Sequence, residues 1–91
     1  MNAYELTLRK EVMLEKAAGI LGELFRFQQS TSDTGTSRAA QILFDLVGDA
    51  KNGILLANDA AALDAIEGKF DLSKRFVSEL EKSAFAGEAH A

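Results

Sequence analysis

The segment MLEKAAGILGELFRF, residues 13–27, determines the fold class predicted for this chain. One set of apolar side chains recurs there in steps of three or four, which places them on one face of an α-helix: Met13, Ala17, Ile20, Leu24 and Phe27. A second apolar set lies about 100° around the same helix: Leu14, Ala18, Leu21 and Phe25. The pattern predicts a helix over residues 2–29 whose second half is apolar over more than one face.

A polar segment, STSDTGTS at residues 30–37, follows this helix and shows no apolar periodicity. Such residues favour turns and local bonds from side chain to backbone over helix. The segment is therefore predicted to be a flexible surface connector, with Thr36 or Ser37 capping the next helix. A regulatory or phosphate-binding loop flanked by Arg26 and Arg38 is the alternative interpretation.

A second helix is predicted from Arg38 onward. Six apolar residues are expected to form its buried face: Ala39, Ile42, Leu43, Leu46, Val47 and Ala50. Asn52-Gly53 resembles a left-handed helix cap, but Ile54 and Ala57 keep the phase of the buried face, which favours continuation to Ala57. Phe44 lies off that face, where an aromatic side chain is typical of an interface anchor.

The remaining sequence predicts two further helical segments. Asn58-Asp59 is an N-cap signal for a short helix over residues 60–67, with Gly68 closing it. Asp71 or Ser73 is expected to cap a last helix reaching about Phe85, and residues 87–91 are expected to fray. The predicted fold class is all-α, a small bundle of three to four helices with a long N-terminal helix, forming a single domain over residues 1–86.

Composition excludes several classes of function. The 91 residues include no cysteine, which rules out disulfides, thiolate zinc sites and cysteine nucleophiles. The formal net charge is −4 and the ten basic residues are scattered, so nucleic-acid binding is not expected. Apolar runs fall far short of the roughly 20 residues of a membrane span. The N-terminus resembles neither a secretory signal nor a transit peptide, so a cytoplasmic location is expected.

No set of side chains predicts a catalytic, metal-binding or cofactor-binding site. The single histidine, His90, lies next to the end of the chain, where a general base would not be held in place. Asp45 with Asp49, and Glu11 with Glu15, share helix faces that we interpret as solvated. An enzyme that uses carboxylates alone is a minor alternative. No phosphate-loop or dinucleotide motif is present, and no small-molecule substrate is evident.

The sequence therefore predicts a non-enzymatic protein–protein interaction module, such as a small acidic adaptor, a regulator or a chaperone of the secretion or export type. The analogy to bacterial secretion and flagellar-export chaperones concerns architecture alone. A structural subunit of a larger self-assembly, such as a phage or secretion-system component, is the alternative. The partner is predicted to be another protein or a second copy, most simply as a homodimer, and the interface is predicted to contain Leu14, Ala18, Leu21, Gly22, Phe25 and Phe44. The spacing of Ala18 and Gly22 also fits a tight helix crossing within one chain.

Overall fold

The computed structural model describes the backbone of residues 2–90 and the side chains of residues 2–83. Within that part the chain forms three helices and no strand: α1 (Ala3–Ser30), α2 (Thr34–Leu56) and α3 (Ala60–His90). The prediction of a small all-α bundle is thereby confirmed. The N-terminal helix is not the longest, since α1 has 28 residues and α3 has 31. The helices pack side by side into a rod of 54 × 16 × 16 Å.

Helix α1 begins and ends close to the predicted positions. The side chain of Asn2 caps it by accepting a hydrogen bond of 2.8 Å from the backbone N–H of Glu5, which satisfies one of the free donors of the first turn. The buried residues of α1 are Met13, Ala17, Ile20 and Leu24. The predicted apolar face is therefore confirmed over these four positions.

The connector between α1 and α2 is much shorter than the sequence predicts. Only residues 31–33 lie outside the two helices, and α2 begins at Thr34. Asp33, rather than Thr36 or Ser37, is the N-cap, and its carboxylate accepts a 2.7 Å hydrogen bond from the backbone N–H of Thr36. The prediction of a loop over residues 30–37 was wrong because this carboxylate lets Thr34–Ser37 form the first turn of a helix.

Helix α2 continues through Asn52-Gly53 to Leu56, as the phase of Ile54 predicts. Ile54 is fully buried, and no glycine within the described residues has a positive φ. The alternative of a left-handed cap at Gly53 is excluded. Burial of the apolar residues that follow outweighs the cost of about 1 kcal/mol for a glycine inside a helix.

Helix α3 is continuous, which corrects the prediction of two separate helices. Its N-cap is confirmed, because Asp59 accepts a 2.9 Å hydrogen bond from the N–H of Ala62. Gly68 does not end the helix, and Asp71 and Ser73 are interior residues rather than caps. The buried positions keep their spacing of three or four residues across Gly68: Leu63, Ile66, Phe70, Ser73 and Val77.

The backbone of residues 87–90 belongs to α3, while Ala91 lies outside the described residues. Fraying of residues 87–91 stays a prediction. The side chains expected to be apolar at Ala84 and Phe85, and that of His90, also lie outside the described side chains.

The core is a single column of side chains from all three helices. The α2 contribution is Ala40, Leu43, Val47, Ala50 and Ile54, and its spacing of three and four residues matches that of α1 and α3. Ser73 is the one buried polar residue among the described side chains, and its hydroxyl donates a 2.8 Å hydrogen bond to the carbonyl oxygen of Lys69. Burial is thus confined to a narrow face on each helix.

Two residues that were expected on the buried face of α2 are instead about half exposed. Leu46 and Ile42 on α2 are each 56% exposed, and Ala39 is only partly buried. On α3, Leu72 and Phe76 are 52% and 51% exposed. The burial prediction for Leu46 and Ile42 was wrong because two neighbouring helices cover a narrower part of α2 than its apolar face occupies.

Candidate partner-binding surface

The predicted interface residues of α1 form what we call the α1 stripe: Leu14, Ala18, Leu21, Gly22 and Phe25. Leu14 and Leu21 are partly buried and pack against the edge of the core. Ala18 is exposed, and Phe25 exposes 56% of its surface. The stripe therefore has an inner edge of leucines that supports the core and an outer edge open to solvent.

The small residues of α1 do not mediate a tight crossing inside the bundle. A Cβ atom added at Gly19 would meet nothing within 4 Å, and one added at Gly22 would meet only the flexible guanidinium of Arg26, at 3.4 Å. Ala18 is exposed. The interpretation of Ala18 and Gly22 as an intrachain packing motif was wrong, because no helix of this chain approaches them closely.

Phe44, the sixth predicted interface residue, lies on the side of α2 that faces α1. It follows Gln41 by one helical turn, and Gln41 accepts a 3.0 Å hydrogen bond from the side-chain amide of Gln28 on α1. Phe44 is partly buried against the core, so it is a weaker candidate for an interface anchor than the exposed Phe25. Its role at an interface stays a prediction.

A second apolar surface was missed by the sequence analysis. Between α2 and α3 lies a groove of about 390 Å³, which we call the α2–α3 groove. Its apolar wall includes Leu46, Leu72 and Phe76, and Asp49 and Lys69 lie at its edge. The four-residue spacing of Leu72 and Phe76 indicates an apolar face of α3. Spacing alone does not show whether such a face is buried or exposed, and only the packing of the helices distinguishes these cases.

Ion pairs join the first half of α1 to α3. Arg9 contacts Asp64 at 2.6 Å and Glu67 at 3.8 Å, and Lys16 contacts Asp71 at 2.6 Å. The hydrogen bond from Lys16 lowers the pKa of the Asp71 carboxyl group. Asp71 thus pairs with a lysine of another helix, although Lys74 and Arg75 follow it closely on its own helix. These side chains fix the register of α1 against α3.

The polar turn between α1 and α2 does not resemble a phosphate site. The carboxylate of Asp33 accepts hydrogen bonds from both the backbone N–H and the hydroxyl of Thr36. These bonds, chiefly the one from the hydroxyl, lower the pKa of Asp33. The positive end of the α2 helix dipole is thus already occupied by the carboxylate of Asp33. A phosphate would have to displace it, which disfavours the alternative of a phosphate-binding loop.

The acidic pairs singled out in the sequence lie on exposed faces. Asp45 and Asp49 are exposed, as are Glu11 and Glu15, and Asp45 accepts a 3.0 Å hydrogen bond from Gln41. Among the described side chains, no three carboxylates or imidazoles lie close enough together to hold a metal ion. None of the helices in the described part is apolar over a length that could cross a bilayer.

We expect the melting temperature to be the same with and without EDTA, because a bound metal would stabilise the folded state by mass action and the acidic pairs have no third ligand. Thermal unfolding followed by circular dichroism checks this. A loss of more than about 3 °C in EDTA, restored by excess calcium or magnesium, would contradict it, since a metal in excess over its dissociation constant adds stability on the order of 1 kcal/mol or more.

The comparison with protein families matches residues 2–80 of this chain to the model of the bacterial epsilon antitoxin. The chain belongs to the bacterial epsilon antitoxin family. No curated protein and no solved structure matches it. The matched range contains the whole of α1, the whole of α2 and α3 from its first residue to residue 80.

Membership in the epsilon antitoxin family supports the coarser predictions made from the sequence. The family consists of small regulators that act through a protein partner and inhibit a toxin without being enzymes. A non-enzymatic interaction module with a protein partner is therefore the right class of function. The family match does not support the finer ideas of a secretion chaperone or a phage subunit.

Proposed function

We propose that this chain inhibits a zeta toxin by placing the outer edge of the α1 stripe against it. The epsilon antitoxin family, whose partner is the zeta toxin, supports the class of partner. One observation supports the surface: Phe25 is 56% exposed, and Ala18, two turns before it on the same face, is exposed as well. Exposed aromatic side chains beside a flat backbone are typical anchors at protein interfaces.

The shape of this surface suits a partner that comes close to the helix backbone. Ala18 is exposed and Gly22 has no side chain, so the backbone of α1 is accessible next to Phe25. A helix or loop of the toxin could pack there while its apolar side chains contact Phe25 and the exposed edge of Leu21. Arg26, which is exposed, follows Phe25 directly, and a charge at the rim of an interface chiefly affects the association rate.

We expect Phe25→Glu to weaken binding to the cognate zeta toxin at least thirtyfold, because loss of an interface anchor costs about 2 kcal/mol or more. Isothermal titration of the purified toxin with the purified variant measures this. Circular dichroism should show unchanged helix content, since more than half of the Phe25 side chain already contacts water. In cells, the variant should fail to protect against co-expressed toxin.

Leu55→Glu is the matched control, because Leu55 is 67% exposed and lies at the far end of α2, away from the α1 stripe. It should bind toxin as the wild-type chain does. Equal losses in the two variants, or full binding by Phe25→Glu, would contradict the proposal.

A second copy of the chain is the other candidate for the α1 stripe, and light scattering without toxin tests it. A wild-type dimer that Phe25→Glu converts to a folded monomer would assign the stripe to self-association. A wild type that stays monomeric at high micromolar concentration would exclude the predicted homodimer and leave the toxin as the partner.

A further inference from the structure

Charged pairs between α1 and α3 repeat with the period of a heptad. The two helices run parallel, because α2 reverses direction between them. Arg9 pairs with Asp64, and Lys16 pairs with Asp71, both at 2.6 Å. Each partner in the second pair lies seven residues after its counterpart in the first, as expected for two parallel helices in constant register.

The next position in this series carries two charges of the same sign. Glu23 lies seven residues after Lys16, and Glu81 lies fourteen after Glu67, which contacts Arg9. Constant register therefore brings Glu23 and Glu81 together between α1 and α3, and the carboxyl group of Glu23 raises the pKa of Glu81. Both residues are half-buried. The interface is thus attractive at its first two positions and repulsive at its third when both carboxyls are ionised.

A hydrogen bond between two carboxyl groups requires one proton between them. Burial raises the pKa of Glu81, and the hydrogen bond with Glu23 and its negative charge raise it further. Three charged residues of the other two helices do not affect the pKa of Glu81: Arg26 of α1, and Arg38 and Asp45 of α2. On α3 itself, Lys82 pairs with Glu79 at 3.6 Å.

We propose that the segment of α3 around Glu81 is a pH-sensitive arm, packed on α1 while the Glu23–Glu81 pair holds a proton and loosened when both carboxyls are ionised. The folded-state pKa of Glu81 is raised above its usual value of 4.5. The stabilisation from this contact is therefore complete below that value and is lost as the pH rises through the raised pKa. Asp71 behaves in the opposite way: its pKa is lowered, so its contact with Lys16 is kept at neutral pH and weakens only as the pH falls below 3.8 toward that lowered pKa.

Amide hydrogen exchange of the full chain tests the arm. Protection factors, which correct for the pH dependence of the intrinsic rate, are measured for residues 78–83 and for the region around Asp71 at about pH 5 and about pH 7.5. We expect protection of residues 78–83 to fall about twofold or more between the two, because two ionised carboxylates repel each other across the contact. Protection around Asp71 should change little over this range.

Three variants make the test specific. Glu81→Gln should remove the pH dependence, because an amide hydrogen-bonds Glu23 without needing a proton. Glu81→Lys should replace the repulsion from Glu23 by an attraction. It should therefore give greater protection than wild type at about pH 7.5. Glu79→Gln is the matched control, since Glu79 is an exposed neighbour on the same helix, and it should keep the wild-type pH dependence.

Equal protection of residues 78–83 at both pH values in the wild type would overturn the proposal. So would a Glu79→Gln variant that loses the pH dependence as fully as Glu81→Gln does. A Glu81→Lys variant that is less protected than wild type at about pH 7.5 would likewise count against it, because an attractive pair with Glu23 should close the arm.

Discussion

Replacing Leu24 with alanine is expected to lower the free energy of unfolding by about 2–5 kcal/mol. Leu24 is fully buried and belongs to the column of side chains shared by all three helices. The loss combines the transfer of apolar surface to water with the cavity left in the core. In a chain this small, a loss of that size is a large part of the total stability. Urea denaturation followed by circular dichroism measures the change.

Leu46→Ala is the matched control for Leu24→Ala, because it is the same substitution in the same kind of helix. Leu46 is 56% exposed, so we expect a loss below about 1 kcal/mol. Comparable losses at the two positions would mean that Leu46 is covered in solution, by a second copy or by a different packing of α3. Repeating the measurement at several protein concentrations distinguishes these two explanations.

The double variant Gly48→Ala, Gly68→Ala is expected to be more stable than the wild type by about 1–2 kcal/mol. Both glycines lie inside helices, and a Cβ added at either would meet nothing within 4 Å. Alanine reduces the conformational freedom of the unfolded chain and adds no strain to a right-handed helix. The increase should appear as a higher urea midpoint with an unchanged slope.

Gly53→Ala is the comparison for this double variant. A Cβ at Gly53 would come within 3.4 Å of the Cδ1 atom of Ile66, so part of the gain is lost to the adjustment of that side chain. Its stabilisation should therefore be smaller than that of either open site. If Gly68→Ala alone were destabilising, α3 would not be continuous at that position.

Local patterns predicted the parts of the fold in which propensity and apolar phase agree. The buried face of α1 follows directly from the spacing of Met13–Leu24, and the phase of Ile54 carried α2 through Gly53. The break predicted at Gly68 was wrong because Gly68 and the capping residues Asp71 and Ser73 favour a helix end less strongly than the continuous apolar spacing favours one helix. Phe70 and Val77 continue the spacing of Leu63 and Ile66, and that continuity contains the information that α3 is one helix.

The candidate surface was less predictable than the fold, for a physical reason. Spacing shows that a residue shares a face with others, but it does not show whether a neighbouring helix covers that face. Leu46 and Val47 are adjacent and both apolar, yet one is exposed and the other is buried. The exposed edge at Phe25 and the like-charged pair of Glu23 and Glu81 depend on helix register, which only the packed structure provides.

The rod shape of the bundle affects how the chain is degraded. At 54 Å long and 16 Å wide, the bundle is a stack of thin layers, each made by one turn of every helix. One end of such a rod can open while the rest stays packed, because local opening costs less free energy than global unfolding. Cleavage by a protease then requires only the end layers to open, not global unfolding. The lifetime of the protein in the cell would follow the stability of its weakest end rather than that of the whole rod.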